Sequence, residues 1–170
     1  LKLKLDEFNA LPPEAAQAEL MKCCGSRNWA QAMADARPFG DIEGLLSTAD
    51  RIWWSLKAAD WLEAFSHHPQ IGEKKGARAQ AAEASRWSEE EQSGTRGAEV
   101  ETKEALASAN RVYLRKFGYI FIVCATGKNS DEMLSLCEER LSNDAQTELR
   151  IAAGEQRRIT QLRLRKLLEA

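Results

Sequence analysis

Apolar positions recur along most of this chain at intervals of three and four, the repeat of amphipathic helices rather than strands. Leu1 to Leu11 departs from that rule: apolar and polar residues alternate, which predicts an extended opening segment. Asn9-Ala10-Leu11-Pro12-Pro13 then starts a helix, because proline is tolerated in a first turn. The helix runs through Ala15, Ala16, Leu20 and Met21, and Gly25 stops it. Ser26 can cap a second helix through Trp29 and Met33, ending before Pro38. Asp41 caps a third, with Ile42, Leu45, Leu46, Ala49, Ile52 and Trp53 in step. A fourth, Lys57 to Phe65, is expected to bury Ala58, Trp61, Leu62 and Phe65.

Beyond His67, His68 and Pro69 the texture changes. Gln70 to Ser85 carries two glycines, two lysines, an arginine and several alanines, which predicts a mobile loop or a loose short helix. Ser88 with Glu91 three residues later matches a helix capping box, a common structural device. Gly97 to Phe117 reads as a long helix with Val100, Leu106, Ala109, Val112, Tyr113 and Lys116 in step, ended by Gly118. Tyr119 to Ala125 has strand composition, but in a helical chain it is expected to be a buried extended piece or a helix start. Gly127 to Ser130 is a turn, Ser130 or Asp131 starts a helix through Met133, Leu134, Leu136, Cys137 and Leu141, and Asn143-Asp144 starts the last. That last helix carries Leu149, Ala152, Ala153, Ile159, Leu162 and Leu167. No internal repeat or dividing linker is visible, so the pattern predicts one all-α domain over 1–170, a bundle of about seven to nine helices.

Composition narrows the partners. The chain has 24 basic and 26 acidic residues, a net charge of -2, and no global pull toward nucleic acid or an anionic membrane. The longest unbroken apolar run, Tyr119 to Ala125, falls far short of the roughly 20 residues a spanning helix needs. With no secretory or peroxisomal pattern in the sequence, the expected location is the cytoplasm. Cys23, Cys24, Cys124 and Cys137 show no Cys-x-x-Cys spacing, and both histidines share one turn, so no zinc site is expected and the thiols read as reduced and mostly buried.

The chemistry-bearing residues are few. His67 and His68 are the only histidines, and imidazole is the side chain that titrates nearest neutrality. They either perform proton chemistry or cap the preceding helix. Glu91 is a candidate partner carboxylate. Arg163 shares a helix face with Ile159 and Leu167, so it either snorkels to the rim or grips an anion with its planar fork. Arg157, Arg158, Arg165 and Lys166 read as a solvated basic face without the aromatic interleaving of a nucleic-acid surface. The residues alone lead to acid–base chemistry on a small anionic molecule; the competing class is a non-enzymatic helical interaction module.

Four motifs in order resemble one family. His68-Pro69-Gln70-Ile71-Gly72 is similar to the His-Pro-Arg-Ile-Gly signature of the 2-oxo-4-hydroxy-4-carboxy-5-ureidoimidazoline (OHCU) decarboxylases. Ser88-Glu89-Glu90-Glu91-Gln92 resembles that family's Ser-x-x-Glu-Gln, and Asn110 to Phe121 resembles its Asn-x-x-Tyr-x-x-Lys-Phe-Gly-x-x-Phe. Ile159-Thr160-Gln161-Leu162-Arg163-Leu164 resembles its closing Ile-x-x-Leu-Arg-Leu. The resemblance, to a bacterial member, implies an all-α, cofactor-free, usually homodimeric enzyme of urate breakdown that makes (S)-allantoin. It implies His68, Glu91 and Arg163 as catalytic residues. It implies Pro69, Ser88, Gln92 and the Ile120, Phe121, Ile122, Val123 stretch, through its backbone, as substrate contacts, with no metal. Gln70 stands where the family commonly has arginine, so any role of that arginine does not transfer. His67 is given no catalytic role.

Overall fold

The computed structural model describes residues 2–69, 87, 91 and 100–169, and eight helices lie among them. The fold is all-α. Its chain divides into two compact units, one formed by Leu1–Ala64 with Arg157–Ala170 and the other by Phe65–Gln156.

In the first unit, α1 (Leu5–Ala10), α2 (Pro13–Cys23), α3 (Arg27–Asp35) and α4 (Ile42–Ser55) follow in order, and α2 packs on α3 and α3 on α4. The opening segment is a correction to the alternating pattern. Only Leu3–Lys4 (β1) is extended, pairing in parallel with Leu168–Glu169 (β2), and the chain turns helical at Leu5. Leu5 and Phe8, three apart, are both buried, and the Lys4 N–H donates to Glu7 Oε2 at 3.0 Å, so a first turn outcompetes the strand pattern. Ser26 and Asp41 cap as expected: Ser26 Oγ accepts from Trp29 N at 3.2 Å and Asp41 Oδ1 from Gly44 N at 2.7 Å. Trp29, wholly buried, donates its indole N–H to Ala49 O at 3.2 Å, tying α3 to α4. Arg157 and Gln161 reach Asp50 at 2.5 and 2.6 Å, and Gln161 also reaches Leu46 O, which holds the end of the last helix to α4. The basic face predicted there is therefore divided: Arg158 and Arg165 are exposed, whereas Arg157 is half-buried in an ion pair.

Helix α5 (Ala58–Phe65) runs from the first unit to the start of the second. Its buried stripe differs from expectation: Ala58 and Leu62 are exposed, and Trp61, Ala64 and Phe65 are buried. Positions 61, 64, 65 and 68 form the helical i, i+3, i+4, i+7 series, so the half-buried His68 lies in the register of that stripe.

The second unit packs α6 (Val100–Phe117) on α7 (Ser130–Arg140). The face of α6 is in part the expected one: Leu106, Ala109 and Tyr113 are buried, joined by Asn110, whereas Val100 and Val112 are exposed. Gly118 ends α6 at φ +83°, a conformation that glycine adopts without steric cost, and its N–H donates to Leu114 O at 2.8 Å. Residues 120–125 then run outside any helix or strand, with Phe121, Val123 and Ala125 packed into a core with Leu106, Tyr113, Met133 and Cys137. Asn129 Oδ1 caps α7 by accepting from Glu132 N at 2.9 Å. Asp144 caps the last helix, α8 (Ala145–Leu167), through Thr147 N at 2.8 Å. The predictions for Gln70 to Ser85 and for Gly97 lie outside the described residues. No helix among the described residues is long and apolar enough to cross a membrane.

Candidate active site

The backbone of the run 120–125 is bonded by side chains rather than by a sheet. Arg140 Nη1 donates to Ile122 O at 2.7 Å, Lys128 Nζ to Cys124 O at 2.8 Å, and Cys124 N donates to Glu155 Oε1 at 3.4 Å. Arg140 is buried, and its Nε and Nη2 donate to Glu148 Oε2 at 2.8 and 2.6 Å. The Tyr113 hydroxyl donates to the same oxygen and Asn143 Nδ2 to the other, at 3.1 Å. The Arg140 guanidinium also lies 4.5 Å from the Phe121 ring centre. Burial first, then the bond to Glu148, holds the Tyr113 phenol far above its ordinary pKa, so it stays a donor. Ile120 is half-buried, and Phe121, Ile122 and Val123 are buried.

His68 follows α5, its N–H donating to Phe65 O at 3.2 Å, and the half-buried Pro69 biases its backbone toward extended geometry. Its Nε2 is 2.6 Å from Oε1 of Gln156, a completely buried side chain of α8 that sequence reasoning missed. His67 is exposed. Glu91 is buried in the same unit as His68. Burial, foremost, raises the Cys124 thiol pKa, and the Glu155 and Glu91 carboxylates add to it. Ser88 and Gln92, and with them the Ser88 capping box, lie outside the described residues.

Arg163 belongs to the other unit. The snorkelling alternative is corrected: Arg163 is 6% exposed, and Nη1 donates to Lys22 O at 3.4 Å, in the last turn of α2. The negative end of the α2 dipole makes that position favourable for a cation. Its charge also bears on the neighbouring Cys24 thiol, which burial nonetheless pushes up to about 11. All four cysteines are free and buried. Among the described residues no group of three or more His, Cys, Asp or Glu could hold a metal ion.

Gln156 could have been noticed from its spacing. Glu148, Ala152, Gln156, Thr160 and Arg163 follow one another at three or four residues and are all buried, so the inner face of α8 is regularly interrupted by polar side chains. A buried polar group needs a partner. Four polar groups on one helix face therefore mark places where other segments must supply bonds.

These features define a class: an all-α protein whose second unit holds a half-buried imidazole bonded to a buried glutamine. The family model for OHCU decarboxylase matches residues 9–165, and the chain belongs to that family. It is 39% identical over 155 residues to the uric acid degradation bifunctional protein TTL of Arabidopsis thaliana, covering 91% of this chain. The chain spans about half, 48%, of the length of that relative. It is 30% identical to the 2-oxo-4-hydroxy-4-carboxy-5-ureidoimidazoline decarboxylase of Haloferax volcanii, covering 96% of this chain and 95% of that one. A crystal structure of OHCU decarboxylase in the presence of (S)-allantoin superposes with a TM-score of 0.77 at 39% identity, over 88% of this chain and 96% of that one. A crystal structure of (S)-allantoin synthase, 15% identical with a TM-score of 0.71, covers 98% of this chain and 54% of that one, and shares the fold.

Proposed function

We propose that the chain is a carboxy-lyase that converts 2-oxo-4-hydroxy-4-carboxy-5-ureidoimidazoline to (S)-allantoin and CO2 in urate breakdown. The observation that carries this reading is the family match over residues 9–165, supported by a decarboxylase relative covered over 95% of its length.

The substrate has a hydroxyl and a carboxylate on one ring carbon, next to a C=N bond. Loss of CO2 leaves the electron pair of the broken C–C bond between that carbon and the neighbouring ureido carbon. The C=N pair moves onto the ring nitrogen, which takes a proton. The enol then gives up its O–H proton, and the ureido carbon gains one on a single face. One proton is consumed per turnover. The substrate holds its own electron sink, so the chemistry asks of the protein only orientation and proton transfer.

In this proposal His68 takes or polarises the hydroxyl proton, Glu91 binds a ring N–H or steadies the imidazole, and Arg163 positions the departing carboxylate or a ring carbonyl. Pro69, Ser88, Gln92 and the backbone of Ile120, Phe121, Ile122 and Val123 complete the substrate contacts. Residues 120–123 lie outside helix and strand, which keeps their peptide groups from being consumed in a ladder. The proposal extends to one decarboxylase domain over 1–170, a homodimer, a cytoplasmic location and a bacterial source; light scattering on the purified chain tests the dimer.

The deciding experiment generates the unstable ureido-imidazoline from urate in the cuvette, with urate oxidase and the hydrolase that follows it, and records circular dichroism as chiral allantoin forms. A fast rise of one enantiomer is expected. His68→Asn is expected to lose about 100- to 10,000-fold, the usual worth of acid–base help, while melting normally. A slow racemic drift unchanged by the protein would remove the decarboxylase reading and leave a helical binding module.

A further inference from the structure

The contact between His68 and Gln156 joins residues 88 apart in sequence within one compact unit. The oxygen of a carboxamide carries no hydrogen. At 2.6 Å, Gln156 Oε1 therefore forms a hydrogen bond with His68 Nε2 only if Nε2 bears the proton. A neutral imidazole has one N–H, so the lone pair available to a proton is then on Nδ1. Gln156 is well placed to impose this choice. Its side chain is completely buried on α8, and Ala152, Ala153 and Ile159 around it on that helix are buried as well. Turning the amide away would move a polar group within a packed interior.

We infer that Gln156 is a positioning residue that holds His68 in the Nε2–H tautomer, making Nδ1 the nitrogen that exchanges the substrate's hydroxyl proton. The inference rests on the reading of His68 as the acid–base group. When Nδ1 takes the proton the ring becomes a cation, and Nε2–H goes on donating to Oε1. That bond becomes charge-assisted and strengthens as charge develops, so it favours the transition state over the ground state.

The test reads the tautomer directly. The intact protein is labelled with 15N in its histidine rings, and the two nitrogens of His68 are assigned by comparison with His68→Asn. A pyrrole-type Nε2 and a pyridine-type Nδ1 are expected at a pH where the ring is neutral. A proton on Nδ1 would mean that the amide is turned over and donates to Nε2, and would overturn the inference. Two variants extend the test. Gln156→Met removes the acceptor and should lower kcat by between about tenfold and the full 100- to 10,000-fold of acid–base help, with KM little changed. Gln156→Glu keeps an acceptor at the same reach and should retain the Nε2–H tautomer and recover much of kcat. A merely structural glutamine would instead lose melting temperature in both variants without a selective effect on kcat. If His68→Asn abolishes turnover while Gln156→Met leaves kcat and tautomer unchanged, only this inference fails. If His68→Asn turns over normally, the acid–base reading fails with it.

Discussion

Replacing Arg140 with methionine isolates the network that fixes the run 120–125. Arg140 is 6% exposed and Glu148 is fully buried, so the substitution strands a carboxylate in the interior. Two guanidinium bonds to Glu148 Oε2, at 2.8 and 2.6 Å, disappear, and so does the one to Ile122 O at 2.7 Å. Tyr113 and Asn143 remain as neutral donors to Glu148. Breaking one side of a buried ion pair costs about 3–5 kcal/mol, a large share of the roughly 5–15 kcal/mol that holds a domain folded. For a chain of this size each kcal/mol moves the melting temperature by about 2–4 °C, so Arg140→Met should melt about 6–20 °C lower. The double variant Arg140→Met/Glu148→Leu removes the stranded charge and should recover part of that loss. Recovery is incomplete, because Ile122 O and the Tyr113 hydroxyl lose partners at about 1–3 kcal/mol for each group left unsatisfied. Urea titration of the four proteins of this cycle, followed by far-ultraviolet circular dichroism, supplies the coupling energy. A single-variant loss below about 1 kcal/mol, within the range of an ordinary exposed ion pair, would refute the claim that this network holds the run in place.

Other expectations are shorter. Burial pushes the Cys24 and Cys137 thiols from 9.0 up to about 11, so the folded chain binds these protons more tightly than the unfolded one. Their contribution is fully present below about pH 9 and lost as pH rises toward about 11, at about 1.4 kcal/mol per pH unit for each thiol. Urea midpoints between pH 8 and 11 should fall accordingly, and Cys24→Ala/Cys137→Ala should flatten the slope; parallel slopes would dismiss the thiols as its source. Arg163→Lys keeps the charge and loses the planar fork. If the fork grips the substrate, a charge-assisted bond of about 1.5–3 kcal/mol is lost and KM should rise tenfold or more; a drop in melting temperature with KM unchanged would assign Arg163 to the end of α2 instead. Asp41→Ala removes the acceptor of the Gly44 N–H and should cost about 0.5–2 kcal/mol of stability without altering turnover.

What could be read from the sequence divides along a physical line. Helix ends were legible because their signals are local: Ser26, Asp41 and Gly118 act within three or four residues of themselves. The buried faces were less so. Position 62 looks as apolar as position 61, yet Leu62 is 41% exposed and Trp61 is buried, because spacing fixes which residues share a stripe and the neighbouring element chooses the stripe. The opening alternation misled because it holds only from Leu1 to Leu5, whereas Leu5 and Phe8, three apart and both buried, share a face in a helical turn and not in a strand.

The motifs named His68, Glu91 and Arg163, but apolar periodicity left Gln156, Arg140 and Glu148 silent. Each of these three is polar and buried, and its justification lies far along the chain: Gln156 with His68, Arg140 with Ile122, Glu148 with Tyr113. Local propensity penalises a polar residue on an apolar helix face, so such a residue persists where a distant segment answers it. The distant segments here are the turn that carries His68, the run 120–125 and α6. The polar interruptions on the inner faces of α7 and α8 therefore carry information on long-range contacts that apolar periodicity discards. A sequence reading that treated every polar residue in a helical core register as a demand for a partner would have singled out Gln156 before any coordinates, though not the ring nitrogen it faces.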